Sequence, residues 1–430
     1  MTTPENTLRV GIPDPGPSFR GALASRDFRF MFTGQLSSEI GNGLIQLALP
    51  FLVYQLTGSA FQLGAAYFFF FLPILLFGLP AGVFVDRWDR RMTIFVVDSI
   101  RAIAFLSVAG IYYLDSLTVV HVYAVIFLES SLQNFFNPAR AALMPNLVKQ
   151  EDLRAANSLI EVSRHIGFIV AVPAGGPLVG LLGPAALFLV DGVTFAVSAV
   201  AVLFVKWRQP PRDREVGENV YHSMQLVLQQ SATGLAAIGR SRLLQVCVLL
   251  GLALNVVIAP IQLLLPLFIV NVKGLALTGS GASYYGVLAA GLILGLLTGS
   301  LLAPAAARRF GLGRMTIGAV SLLGVVVAIT AWLPTLAPPV FGMALAGVCI
   351  GSLNVGQTTM LQSATTDEER GRVSATYYTA TLGVRPLSFL GMGALASAVD
   401  DVRILFVALG ISALTIGAYL ARVADVRDHR

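Results

Sequence analysis

The chain has 430 residues, of which 56% are hydrophobic and only 12% charged, with a formal net charge of +6. A soluble domain carries about 25% charged residues, so this one has too few to coat a water-facing surface. The basic residues punctuate apolar runs instead of clustering with aromatics, which argues against nucleic acid as a partner and for a lipid bilayer.

Crossing a roughly 30 Å hydrocarbon layer takes about 20 apolar residues as helix, and backbone in lipid must satisfy its own hydrogen bonds as helix or closed barrel. Runs such as Leu322 to Ile329 lack the two-residue alternation of barrel strands. The expectation is an all-α polytopic membrane protein. Spans are predicted at 28–55, 62–85, 93–114, 118–138, 158–182, 185–205, 243–270, 283–306, 315–333, 338–362, 373–398 and 402–422. These twelve transmembrane helices divide into two six-helix bundles. The first 26 residues are polar and Pro-rich, without an apolar signal-peptide core, so the first span would itself act as signal. All but four of the 29 Lys and Arg (Lys273, Arg403, Arg101 and Arg385) fall on the side of the termini. That bias predicts both termini in the cytoplasm. Cys247 and Cys349 lie inside spans, read as small core residues rather than a disulfide framework.

The one long connection, 207–242, passes from a Pro-rich charged segment into a weakly amphipathic stretch with Met224, Leu228, Leu235 and Ile238 at near-helical spacing. It reads as a cytoplasmic linker with an interfacial helix, between a first bundle at 1–206 and a second at 243–430. The halves echo one another. The charged turn Gly82-Val83-Phe84-Val85-Asp86-Arg87-Trp88-Asp89-Arg90-Arg91 matches Ala307-Arg308-Arg309-Phe310-Gly311-Leu312-Gly313-Arg314, and Leu49-Pro50-Phe51 matches Leu265-Pro266-Leu267. Internal repeats of this kind mark secondary transporters.

Gly82-x-x-x-Asp86-Arg87-x-x-Arg90-Arg91 resembles the signature loop of the major facilitator superfamily, G-x-x-x-D-R-x-G-R-R, with Asp89 where that family usually has Gly. The stretches Leu49 to Ser59, Asp86 to Arg91 and Asn137 to Pro145 resemble more narrowly the branch of enterobactin-exporter and macrolide-efflux proteins. That branch often has Asp where this chain has Asn42, and the fifth-span antiporter signature survives only as Pro173-Ala174-Gly175-Gly176-Pro177 and Gly180. The resemblance implies a conformational latch at Gly82, Asp86, Arg87, Arg90, Arg91 and Arg140. In it, Asp86 would face the start of the eleventh span, where the helix dipole favours an anion, with Arg90 and Arg140 as ionic partners. A solvated loop that only sets topology is the alternative.

Polar residues inside spans are costly against lipid and face the bundle interior. Gln35, Glu39, Asn42 and Gln46 fall at i, i+4, i+7 and i+11, within about 60° of one another on a helix. Glu129, Gln133 and Asn137 form a second stripe, and Tyr377, Thr381, Arg385 and Ser388 a third. These are the candidate cavity-lining residues, with interhelical hydrogen bonding as the alternative use. If the stripes meet a central cleft, it holds two carboxylates and a guanidinium. A proton carrier must titrate near physiological pH, and burial disfavours a charged carboxylate while a nearby Arg favours it. Glu39 has no Arg on its own stripe and is the first candidate for proton coupling, with Glu129 the second; the alternative for each is a structural pair, for example with Arg101 or Arg385. Asp98 and Arg101, at i and i+3, read as a local pair, and Asp191 as a buried hydrogen-bonded acid.

The expected function is export of a bulky hydrophobic or amphipathic compound (drug, macrolide or siderophore) by proton antiport with alternating access, the protein acting as a monomer in a bacterial plasma membrane. Uptake by proton symport and a non-transporting receptor are the alternatives. No G-x-x-x-x-G-K-[ST], H-E-x-x-H or G-x-S-x-G is present, and the four histidines are scattered, so neither an ATP motor, an enzyme, a metal site nor a cofactor is expected.

Overall fold

The computed structural model describes residues 18–78, 80–209, 220–275 and 280–427. The polar N-terminus up to residue 17 and the charged linker segment 210–219 lie outside the described residues. Among those described there are helices and no strands. A short α1 (Phe19–Ala24) leads into α2 (Arg26–Thr57), α3 (Ala60–Phe77) with α4 (Pro80–Val85), α5 (Arg90–Tyr113), α6 (Val119–Leu143), α7 (Leu153–Leu182) and α8 (Pro184–Leu203). The linker helix α9 (Val220–Arg240) follows, then α10 (Arg242–Val257), α11 (Ile261–Leu267) with a π-turn at Phe268–Val272, α12 (Ser280–Phe310) and α13 (Leu312–Thr330). The chain ends with α14 (Ala337–Ser363), α15 (Asp367–Gly383), α16 (Arg385–Ala398), α17 (Arg403–Arg422) and α18 (Ala424–Arg427).

Ten helical stretches are long and apolar enough to cross a membrane, and an eleventh is the pair Gln150–Val172 and Ala174–Leu182, bent by 48°. The remaining predicted span, 373–398, is divided into α15 and α16, each too short to qualify alone. The break has a covalent cause: Pro386 lacks an amide hydrogen and its ring collides with the carbonyl four residues back. Pro260 interrupts the seventh span in the same way, between α10 and α11.

Local signals set the helix ends. Ser25, Ser59 and Thr118 accept backbone N–H bonds at the starts of α2, α3 and α6, as N-caps do. Gly311, at φ +86°, turns the chain between α12 and α13, a conformation that glycine adopts without steric cost. The charged loop after α4 does more than set topology. The Asp89 carboxylate accepts from Met92 N at 2.7 Å and caps α5, which gives this departure from the signature a structural use. Arg91, only 6% exposed, donates to the carbonyls of Val202 and Leu203 at 3.0 and 2.7 Å. Arg90 donates to Ala142 O at 2.9 Å. The two arginines thereby satisfy carbonyl ends of α8 and α6, where cations are favourable.

The tightest helix pair is α12 with α14. A side chain on Gly295, Gly299, Gly347 or Gly351 would run into the backbone of the facing helix. Small residues four apart let helices approach this closely in lipid, where dispersion replaces the hydrophobic effect as the packing force. In α9, Ile238 is buried and Leu235 exposed; the side chains of Met224 and Leu228 lie outside the described set. The helix packs on α15 and α4, spanning both halves at the end of the molecule where the chain termini lie.

Candidate functional site: a central cavity beside a buried charge cluster

A cavity of about 490 Å³ lies between the two halves of the chain. Its first-half wall comes from α2 (Gln46, Leu47), α3 (Phe71) and α7 (His165, Ile169, Val172). The second half contributes the broken seventh span, α12, α14 and the α15–α16 break. The two proline-induced breaks matter here, because each places a polar residue at mid-span. Arg385 begins α16 and its Nε donates to Asn255 Oδ1 at 2.6 Å. Its guanidinium also sits 5.3 Å from the centroid of the Phe71 ring. Asn255 is anchored in turn, its Nδ2 donating to Gly251 O at 2.8 Å, and Ser388 Oγ donates to the Val256 carbonyl at 3.2 Å.

Away from the termini the cavity is sealed by glycine contacts and aromatic rings. Gly64 faces Gly393, and Gly176 faces Ala282 and Ser283. Tyr67 stacks on Phe389 at 4.5 Å, and Phe51 meets Tyr285 edge-on at 5.3 Å. The amide of Phe61 donates to Ser397 Oγ at 2.9 Å. These seams, between α3 and α16, between α7 and α12 and between α2 and α12, all lie from mid-span to the end opposite the termini.

Beside the cavity, inside the first half, the structure gathers a charge cluster. Arg101 is 2% exposed and forms ion pairs with Asp98 at 3.7 Å and Glu129 at 3.3 Å. It also donates to the Gln133 side-chain carbonyl and lies 5.3 and 5.1 Å from the rings of Phe136 and Phe195. Ser198 Oγ donates to Asp98 at 2.7 Å. Asp191, fully buried, accepts from Thr194 Oγ1 at 3.0 Å, while its second oxygen has no partner among the described residues. Glu39 is 5% exposed and accepts from Gln35 Nε2 at 2.6 Å. Glu129, Asp191 and Arg140 all have Glu39 among their charged neighbours. Four acids therefore share one neighbourhood with Arg101 and Arg140. The cluster holds more carboxyls than cations, and its net charge changes with each proton it binds.

The sequence-derived stripes divide between these two places. Gln46 and Arg385 line the cavity; Glu39 and Glu129 do not. The reason for Glu129 is Arg101, which draws it toward α5, and Glu39 packs where Gly167 leaves no room between α2 and α7. Glu39 sits seven residues from Gln46, roughly 10 Å along the helix. Gln35 and Gln133 belong to the cluster, and Gln133 also donates to the exposed Asn137 at 3.2 Å. Asn42 is half-buried on α2. Tyr377 and Thr381 pack against Gly251, joining α15 to α10. In the signature loop, Asp86 is exposed at the end of α4, with its amide bonded to Gly82 O, and Arg87 donates to Val83 O at 2.6 Å. The charged neighbours of Arg140 are Glu39, Glu161 and Arg164. The cavity residues not anticipated from sequence are His165, Asn255, Gln262, Asn354 and Gln357. Amides in otherwise apolar spans, two of them flanking Pro260, were the available signal.

Known proteins share this plan. The chain is 28% identical to macrolide efflux protein A of Streptococcus pyogenes over 273 residues, which cover 63% of this chain and 66% of that protein. It is 25% identical to the multidrug efflux pump Tap of Mycolicibacterium fortuitum over 91% of this chain and 94% of the pump. Among solved structures, the nucleoside transporter NupG superposes with a TM-score of 0.73 at 12% identity, covering 92% of this chain and 98% of that one. A bacterial homologue of the lysosomal transporter Spinster, in an inward-facing and unoccupied conformation, gives 0.68 at 14%, covering 94% and 95%. At such identities the structures share the fold alone. The sequence, however, matches the Major Facilitator Superfamily over residues 31–387, and the chain belongs to that superfamily of multi-pass membrane transporters.

Proposed function

We propose that the chain is a secondary active exporter. It takes a bulky hydrophobic or amphipathic compound into the central cavity and moves it out of a bacterial cell by alternating access, in exchange for protons. The observation that carries this reading is the pairing of two features. One is a sealed-ended cavity shared by both halves, of a size typical of small-molecule sites. The other is a cluster of buried acids wholly within the first half, of which Glu39 lies about two helical turns along α2 from the cavity-lining Gln46. Similarity to efflux pumps over nearly the full length favours export over uptake. The excess of basic residues on the side of the termini supports cytoplasmic termini, and the cavity then opens inward in this conformation. Residues 1–206 and 243–430 act as the two rocking bodies, with 207–242 as the strap between them. The signature loop, with Asp86 and Arg140, belongs to the surfaces that meet when the cytoplasmic side closes.

Glu39 is the leading proton carrier, since Glu129 is already engaged by Arg101. A proton arriving at Glu39 weakens its bond from Gln35 and changes how α2 packs on α7, which also lines the cavity. Inverted membrane vesicles with an acid lumen test both claims. Antiport predicts that substrate added to the bath alkalinises the lumen, whereas symport predicts further acidification. Glu39→Gln should abolish the pH-gradient-driven component of efflux while membrane insertion is preserved; undiminished proton-driven efflux would exclude Glu39 as the carrier. The substrate comes from susceptibility profiles of a pump-deficient strain with and without the chain.

A further inference from the structure

The wall of the cavity is chemically one-sided. Among the described residues no Asp or Glu lines it; its ionisable side chains are Arg385, His165 and Tyr285. The acids of the first half are held away from it, around Arg101. Arg385 is fixed in place by Asn255 through Nε and by the Phe71 ring, and no carboxylate among the described residues forms an ion pair with it. Its two terminal nitrogens, carrying four N–H groups, have no acceptor among the described residues. On α14, Gln357 Nε2 is buried without a partner among them, and Gln357 also lines the cavity. The remaining surface is mainly apolar, from Leu47, Val172, Leu265 and Ile350 among others.

A guanidinium at mid-membrane without a counter-ion is costly. A planar fork already held in place binds carboxylate, phosphate or sulfonate oxygens in two-pronged fashion. A cationic compound would meet repulsion here and no compensating acid. Resting on the carrier reading above, we infer that the cavity takes amphiphilic anions. The oxyanion head pairs with Arg385, Gln357 donates to an acceptor on the same ligand, and the apolar body fills the rest.

Three probes of equal size test this on the purified full chain in neutral detergent micelles: 11-(dansylamino)undecanoate, its methyl ester, and the corresponding primary amine. The anion should bind about tenfold or more tightly than the ester and the amine, in keeping with the strength of hydrogen bonds to charged groups. Arg385→Gln should bring the anion to the level of the ester and leave the ester unchanged; Arg385→Lys should keep part of the preference. Gln357→Leu should weaken the anion by a smaller factor. Equal or tighter binding of the amine by the unmodified chain overturns the inference, as does an anion preference that survives Arg385→Gln. The first of these comparisons needs no variant. Titrating phosphatidylglycerol into the micelles identifies the source: displacement of the probe assigns the site to a bilayer lipid, and no displacement to a free amphiphile. Binding is read without turnover. Lost proton-driven efflux with an intact anion preference would therefore overturn the export reading alone, and the reverse pattern this inference alone.

Discussion

The seam at Gly64 offers a direct test of how the two halves move. A methyl group placed on Gly64 would lie 2.7 Å from Phe389 O and 2.9 Å from Gly393 Cα. Both are backbone atoms of α16, so no rotamer change relieves the clash. Restoring ordinary contact requires α3 and α16 to part by about 0.7 Å, forfeiting dispersion along the seam. Overpacking of this kind costs roughly 1–3 kcal/mol. Because the clash exists only while this end is closed, Gly64→Ala raises the energy of the closed-end state and not that of its alternative. The same 1–3 kcal/mol is a shift of roughly 5- to 150-fold in the equilibrium between two states. Spin labels at Ser116 and Asp400, both exposed in turns at this end and on opposite halves, read the separation by double electron–electron resonance; the native Cys247 and Cys349 are buried. The expected result is a new, longer-distance population in Gly64→Ala. Distance distributions superimposable on those of the parent would refute the idea that this glycine pair holds the end closed.

Other consequences concern stability. Arg101→Met leaves Asp98 and Glu129 buried without their cation and should cost about 3–5 kcal/mol, seen as a lower melting temperature in detergent. Adding Asp98→Asn and Glu129→Gln to Arg101→Met should recover part of that loss; no recovery would mean that Arg101 matters through packing on Phe136 and Phe195 and not through charge. Ser198→Ala removes the hydroxyl that donates to Asp98 and should lower stability by about 1–3 kcal/mol, an effect that vanishes in an Asp98→Ala background, which has no acceptor, if the bond is the cause. Gly295→Val drives a side chain into the Ala344 carbonyl across the α12–α14 seam, and folded yield after solubilisation should fall sharply; an unchanged yield would show that this seam tolerates separation.

Much of the architecture was legible in the linear chain, because lipid imposes simple demands. Apolar length located the spans to within several residues, while the Lys and Arg bias and the half-chain echo supplied the expectation of two sides and two similar halves. The breaks at Pro260 and Pro386 were not legible in the sequence: both spans were expected to be continuous, and proline alone does not mark a break, since Pro50, Pro73, Pro138 and Pro304 sit inside uninterrupted helices of this chain. Gln35 and Glu39 on α2 and Glu129 on α6 are buried, as polar residues in lipid-spanning helices are expected to be, whereas Asn137 is exposed.

Which inward-facing groups meet was a different matter. In a membrane helix the packing face and the lipid face are both apolar, so periodicity does not tell how a span is rotated toward its neighbours. The sequence offered Arg101 and Arg385 alike as partners for Glu39 or Glu129; nothing linear selects Arg101 with Glu129, or brings Phe195 on α8 and Asp191 into the same neighbourhood. Nor does spacing reveal that Arg385 alone of the expected charges would reach the cavity, beside Asn255 from 130 residues earlier. Those juxtapositions depend on helix rotation and on approach distances of a few ångströms, set by where glycines permit contact. They exist only once the helices have packed.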